Sequence, residues 1–404
     1  MSKVELLSPA GNIDKLKIAL LYGADAVYIG GKNYSLRANA KNFTNSEIKE
    51  ACNYAHKFGK KVYVTVNIVF HNQDFKGLIE YLQFLSACHV DAIISSDPSI
   101  IEIIQENNIK LAVHLSTQMS TANQESALFW KKQGVERVVL ARECSKADIK
   151  AIIDNAKIEV ECFLHGAMCS AYSGRCVLSN YFTNRDSNRG ACAQICRWCF
   201  ELNDGFTDIK DDTKFTMSVK DLSLIDNLEE LIELGVSSLK VEGRMRSDYY
   251  IATVISTYRN AIDDYYNHNL TPKKIEYYRL ILNRVANREN TSQFFAKLPG
   301  VDEQYFLGRQ EISNQDFLGI VLSYDEHTKI LTLTQRNYFK PGDKVEFFGP
   351  NIENFKIKIP YEIYDEDDNL ITVANHPKQI VKFKVDKKLY KNDIMRVDFV
   401  SNNL

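Results

Sequence analysis

Three short stretches, YGADAV at 22–27, FGKKVY at 58–63 and QGVERV at 133–138, share one arrangement. In each, a glycine separates a run with apolar residues three and four apart from a run rich in β-branched residues. A glycine so placed ends a helix in the left-handed conformation and releases the chain into a strand. Outward from these stretches the same alternation recurs. Strands are predicted at 4–8, 26–30, 61–69, 91–95, 110–115, 137–141, 159–164 and 238–242, with helical patterns such as 12–22 and 45–58 between them. Eight βα units over about 250 residues is the length of a (β/α)8 barrel. An open doubly wound α/β sheet is compatible with the same pattern, but the count of eight favours the TIM-like barrel.

The whole chain, 404 residues, is too long for one ordinary core, so two domains are expected. A hydrophobic content of 45% with 25% charged residues is that of a soluble globular protein. The opening MSKVELLSPAG lacks the apolar core of a signal peptide, and no apolar run reaches the roughly 18 residues of a membrane span. A cytoplasmic protein with no membrane partner is therefore expected. There the nine cysteines are reduced, which disfavours a disulfide framework and gives weight to a metal or catalytic role. The net charge of −2 carries no global sign of nucleic acid, so any RNA surface has to be local.

The regular spacing breaks once, between strands seven and eight, where the chain runs from His165 to Ser237 and holds five of the nine cysteines. Loops after barrel strands build the active site, which places this insert on the functional face. Past strand eight, helices are expected through Tyr266 and over 272–285. From about Asp316 the pattern turns to period-two alternation, as in ILTLTQ and NDIMRVDFV, which predicts a small all-β barrel domain. The expected domains are 1–300, with the cysteine-rich insert at 166–236, and 310–404.

Within the insert, Cys169, Cys176, Cys192, Cys196 and Cys199 fall within 31 residues, too dense for core packing alone. Zinc usually takes its thiolates from paired CxxC knuckles, and only Cys196 and Cys199 form such a pair. An iron–sulfur cluster also takes four thiolates and tolerates irregular spacing. CAQICRWC, 192–199, additionally has the C-x3-C-x2-C spacing of radical S-adenosylmethionine enzymes, although there the motif follows the first strand. Arg175, Arg185, Arg189 and Arg197 surround the cysteines, opposed by Asp186. Such charge suits an anionic cluster or a phosphate.

Strand ends facing the insert supply the other candidates. Lys240, Glu242 and Arg244 alternate along strand eight and so point one way, into the barrel or its mouth, as a catalytic group or as a salt-bridge layer. His165 ends strand seven, where it could move protons. Asn67, Gln118, Arg142 and Glu143 end or follow strands three, five and six as substrate-binding candidates, with Ser116 beside them. Arg37 follows strand two, after Tyr28, Gly30 and Gly31. Cys52, Cys88, Cys144 and Cys162 read as core. Lys273, Lys274, Arg279, Arg284 and Arg288, with Tyr277 and Tyr278, mark a helix that either tracks RNA phosphates or is simply solvated. A Cys169–His165 peptidase and a non-catalytic zinc-stabilised binding protein are the competing functions; neither G-x-S-x-G nor HExxH occurs.

The stretches LLSPAGN (6–12), GADAVYIGGKNYSLRANAKNF (23–43), ECFLHGAMCSAYSGRCVLS (161–179), NRGACAQICRW (188–198) and SLKVEGRMRSDYYIATVISTYR (238–259) resemble the peptidase U32 family. The resemblance spans nearly the whole chain, including the C-terminal β domain. Despite the family name, it implies oxygen-independent hydroxylation, here of the tRNA wobble uridine to 5-hydroxyuridine; relatives act on ribosomal RNA cytidine or the ubiquinone ring. It also implies a [4Fe-4S] cluster on Cys169, Cys176, Cys192 and Cys196, and prephenate as the oxygen source. The two carboxylates of prephenate would suit Arg244 and Arg142. Cys199 and ANRENTSQFF (286–295) depart from the family pattern. Whether the protein works alone, as a homo-oligomer or with a related U32 partner chain is left open.

Overall fold

The computed structural model describes residues 3–36, 41–201, 214–286, 288–305 and 316–398. The chain divides into two units, 1–311 and 312–404. In the first, β1 (Glu5–Pro9), β2 (Ala26–Gly30), β3 (Lys61–Val66), β4 (Ala92–Ser95), β5 (Ala112–Leu115), β6 (Arg137–Val139), β7 (Glu159–Gly166) and β8 (Ser238–Val241) pair in parallel in chain order. Strand β8 pairs with both β1 and β7, which closes the sheet into the expected TIM-like barrel and rules out the open one.

Helices α1 (Ile13–Leu21), α2 (Asn45–His56), α3 (Leu78–Ala87), α4 (Pro98–Glu106), α5 (Gln124–Lys132) and α6 (Lys146–Ala156) form the crossovers; α7 (Leu178–Thr183) lies in the insert and α8 (Leu228–Glu233) leads into β8. Their starts are written locally. Thr44 and Ser145 close capping boxes, and Asp97 caps α4 with proline at its first position. Their ends follow one rule. Gly23, Gly59 and Gly134, the glycines of the three stretches quoted above, are left-handed at φ 105°, 65° and 91°, and Gly235 does the same before β8. His89, Asn108 and Lys157 hold that conformation after α3, α4 and α6, at a cost of about 1 kcal/mol each for carrying a side chain there.

The barrel interior has two layers. Leu7, Ala26, Tyr28, Tyr63, Ala92 and Ile94 pack as an apolar layer. Beside it, Arg137 reaches Glu5 at 2.6 Å and Glu161 at 3.3 Å, and Glu161 accepts from Lys240 Nζ at 2.7 Å. Helices α9 (Asp248–Tyr266) and α10 (Pro272–Val285) follow, with α9 packed on α1 and β1.

The second unit is one antiparallel sheet of β9 (Phe317–Tyr324), β10 (Ile330–Gln335), β11 (Lys344–Gly349), β12 (Ile352–Lys358), β13 (Ile363–Tyr364), β14 (Leu370–Ile371), β15 (Ile380–Lys384) and β16 (Ile394–Val397). Their order is β12-β11-β16-β9-β10-β15-β13-β14. The sheet curls around a single core that includes Val321, Leu333, Phe347, Phe383 and Met395. No helix among the described residues is long and apolar enough to cross a membrane.

Candidate active site

A cavity of about 160 Å³ opens at the C-terminal ends of the barrel strands. Tyr28, Thr65, Phe163 and Lys240 line it from the strands, and Asn67, Gln118, Arg142, Glu242 and Arg244 from the segments just beyond them. The insert supplies the remaining wall, with Cys169, Cys176, Cys192 and Cys196 all on it. Cys199 is exposed and does not line the cavity. The C-x3-C-x2-C reading needs Cys199, which is off the wall that the other four cysteines share.

All four thiols are free and each accepts a hydrogen bond. The N–H of Leu178 reaches Cys176 Sγ and that of Gln194 reaches Cys192 Sγ, both at 3.4 Å. The N–H of Ala171 serves Cys169 in the same two-residue step, and Ser170 bonds the Cys196 sulfur. Donors aimed at sulfur are what a metal-bound thiolate or cluster uses to tune its potential. Burial pushes the free Cys169 and Cys196 thiols above their ordinary value. Among the described residues, no three His, Cys, Asp or Glu side chains converge on the position of a single ion.

Arg244 is buried and donates through Nη1 to Ser35 Oγ at 2.9 Å and Thr65 Oγ1 at 3.2 Å. Glu242 accepts from Tyr28 OH at 3.3 Å and lies 3.8 Å from the Arg142 guanidinium, which stacks 3.8 Å above the Phe163 ring. Lys240 is both a cavity wall and a member of the salt-bridge layer, so the two sequence readings of this residue coincide. Gln118 is 4% exposed, and its side-chain Oε1 has no hydrogen-bond partner. A buried amide oxygen without a partner costs about 1–3 kcal/mol, which a ligand in the cavity would recover.

Two site candidates fall elsewhere, and a third is not among the described residues. His165 does not face the cavity. Lys240 pairs with Phe163 but Val241 with His165, so a bulge at Leu164 reverses the alternation and turns His165 outward. There its Nδ1 lies 3.2 Å from Tyr258 OH, and burial holds its pKa down at about 3. A Cys169–His165 pair is consequently not formed. Glu143 is a clamp rather than a substrate contact, because its carboxylate accepts from the N–H and hydroxyl of Ser173, a left-handed residue in the insert. Arg37 lies outside the described residues.

The sequence reading missed how the insert is held. Arg142 Nη1 donates to Ala167 O at 2.7 Å. Arg189 grips both carboxylate oxygens of Asp74 at 2.6 and 2.9 Å. Asn188 bonds both the N–H and the carbonyl of Cys176. These are long-range pairs with no local pattern. Arg137 and Glu161 were legible in principle, as charges at inward positions of otherwise apolar strands. On α10, Lys274 and Arg279 are paired with Asp264 and Asp226 and Tyr278 is buried, and beyond the helix Arg288 is paired with Asp221.

These features define a closed parallel barrel with a thiol-lined cavity where barrel enzymes carry their active sites. The chain belongs to peptidase family U32: residues 11–305 match the family and residues 313–396 its C-terminal domain. It is 50% identical to tRNA hydroxylation protein P1 of Bacillus subtilis (strain 168), over 98% of this chain and 94% of that one. It is 34% identical to tRNA hydroxylation protein P of Escherichia coli (strain K12), over 87% of each. A protein named collagenase from Porphyromonas gingivalis is 32% identical over 76% of this chain and 74% of its own.

Proposed function

We propose that this protein hydroxylates tRNA, converting the wobble uridine to 5-hydroxyuridine without molecular oxygen, with a [4Fe-4S] cluster on Cys169, Cys176, Cys192 and Cys196. The observation that carries this reading is the gathering of those four thiols, each with a hydrogen-bond donor, on one wall of the barrel-mouth cavity. The names of the Bacillus and Escherichia relatives supply the substrate class. When bound, the cluster would supply iron at the cavity wall for oxygen and electron handling.

The chain's own residues take the remaining roles. Replacing C5–H by C5–OH requires an oxygen donor that also accepts two electrons, and prephenate is the proposed donor. Arg142 and Arg244 lie on the cavity wall as cations for its two carboxylates. The Gln118 amide is placed to read the edge of the uracil ring, with Asn67 beside the same cavity. Glu242 is the carboxylate on that wall that takes the proton leaving C5, and Lys240 fixes the cavity floor.

Anaerobic purification tests the reading. Absorbance near ~400 nm with about four irons per chain, together with 5-hydroxyuridine in tRNA incubated with the protein and prephenate, is the expected result. A colourless protein carrying one zinc, or peptide cleavage without a hydroxylated nucleoside, would sink it.

A further inference from the structure

The outer side of the insert carries a feature that the cavity chemistry does not use. Trp198, Phe182, Phe200 and Phe215 form a ladder of rings with successive centroids 6.4, 5.8 and 5.8 Å apart. Phe182 is 54% exposed, and its neighbour Tyr181 is 84% exposed. Rings held in water beside one another are uncommon on a surface without a partner. The short helix α7 joins this ladder to the cavity, since Leu178 and Ser179 line the cavity while Tyr181 and Phe182 are exposed.

Among the described residues from 175 to 201, four arginines stand against two carboxylates, Asp186 and Glu201, and Glu201 is paired with Lys214. Arg175 and Arg185 are exposed and, among the described residues, have no carboxylate partner; Arg197 stands beside Trp198. Arg189 is not available, being committed to Asp74. Of the acidic side chains, Asp186 caps its own turn through the N–H of Asn188. Exposed aromatic rings flanked by arginines, next to a cavity that admits one base, match the requirements of single-stranded nucleic acid: stacking faces for the bases and cations for the backbone.

We infer that Tyr181, Phe182 and Trp198, with Arg175, Arg185 and Arg197, form a stacking platform that binds the unpaired nucleotides flanking the target base. This rests on the RNA reading proposed above and adds to it the surface that delivers the base to the cavity. It puts an RNA contact on the insert that holds the thiols. Ligand cluster and RNA platform are thus two faces of one segment.

The test measures the binding of full-length protein to a fluorescein-labelled tRNA anticodon stem-loop, with an RNA duplex as comparator. Tyr181→Ala with Phe182→Ala is expected to weaken stem-loop binding about 10- to 100-fold, as loss of one or two stacked bases does, with iron content and unfolding temperature unchanged. Arg185→Ser should lower the slope of log affinity against log salt by about 0.7. Tyr361→Ala, an exposed aromatic of the second unit, should leave binding unchanged. If the double variant fails to fold, Tyr181→Ala and Arg185→Ser tested singly carry the test. Unchanged stem-loop affinity in the folded variants would overturn the platform. The same result with an altered oligomeric state by light scattering would overturn it in favour of a protein contact. Because binding is read without turnover, a protein that binds through this surface yet makes no hydroxylated nucleoside would sink the function and leave the platform standing.

Discussion

Gly30 and Arg244 are fitted to one another: a Cβ on Gly30 would lie 2.0 Å from Arg244 Nη1 and 2.3 Å from Ser35 Oγ. The guanidinium passes directly over the end of β2 to reach Ser35 and Thr65. Gly11 stands in the same relation to the Arg244 backbone, with a Cβ position 2.3 Å from its carbonyl oxygen. Two glycines from the first and second strand ends therefore leave room for a residue that follows the eighth. Gly30→Ala is expected to displace the guanidinium, raise the KM for the proposed carboxylic acid co-substrate about tenfold or more, and cost about 1–3 kcal/mol of stability through overpacking. Steady-state kinetics and denaturant titration check both.

Gln118 lines the cavity, and its side-chain oxygen has no hydrogen-bond partner among the described residues. Gln118→Leu should therefore weaken RNA substrate binding while leaving stability equal or slightly improved, since an unsatisfied buried group is removed. A fall in unfolding midpoint of the size seen for core truncations would contradict this.

The cysteines separate cleanly. Serine at Cys169, Cys176, Cys192 or Cys196 should abolish stoichiometric iron and sulfide after anaerobic preparation, whereas Cys199→Ser should retain both, because Cys199 is exposed and off the cavity wall. Metal analysis of the five variants decides it.

Inside the barrel, Lys240 and Glu161 are an ion pair 2.7 Å apart with side chains 5% and 0% exposed. Lys240→Met leaves Glu161 with Arg137 as its remaining cation, 3.3 Å away, so it should destabilise the protein by about 1–3 kcal/mol. Glu161→Gln combined with Lys240→Met should recover part of that loss. Chemical denaturation of the single and the double variant measures it.

His165 gives the acid response a defined sign. Burial, with a smaller contribution from Arg246, holds its pKa at about 3 among Tyr250, Tyr258 and the barrel wall, against about 6.5 when unfolded. The unfolded chain thus takes up the proton first. Stability is intact above about pH 6.5 and falls by about 1.4 kcal/mol per pH unit below it, until the folded form also protonates near pH 3. Buried His114 is shifted the same way and adds to the slope. His165→Asn should flatten the dependence between pH 6 and 4 by about one proton's worth, as read from denaturant midpoints across that range.

Much of the architecture was legible because it is local. Helix periods, caps and the glycines at 23, 59 and 134 each act within a few residues, and a count of eight strands then leaves few ways to close a sheet. The equivalent turns at His89, Asn108 and Lys157 carry no glycine, yet the neighbouring periods still located those strands. The crowding of thiols at the barrel mouth was legible too, since five of the nine cysteines fall in one insert.

What the sequence by itself determined is the barrel, the β-rich second unit, the insert on the functional face and the residue types that could bind metal there. Only the tertiary structure decided which of them meet. One bulge beside Leu164 takes His165 out of the site, since a single extra residue reverses every later side chain on a strand. Glu143 became a clamp and Gly30 a space for Arg244, because each depends on a partner tens to hundreds of residues away. Periodicity along a chain reports which face a residue takes; it carries no record of what the closing barrel will set opposite that face.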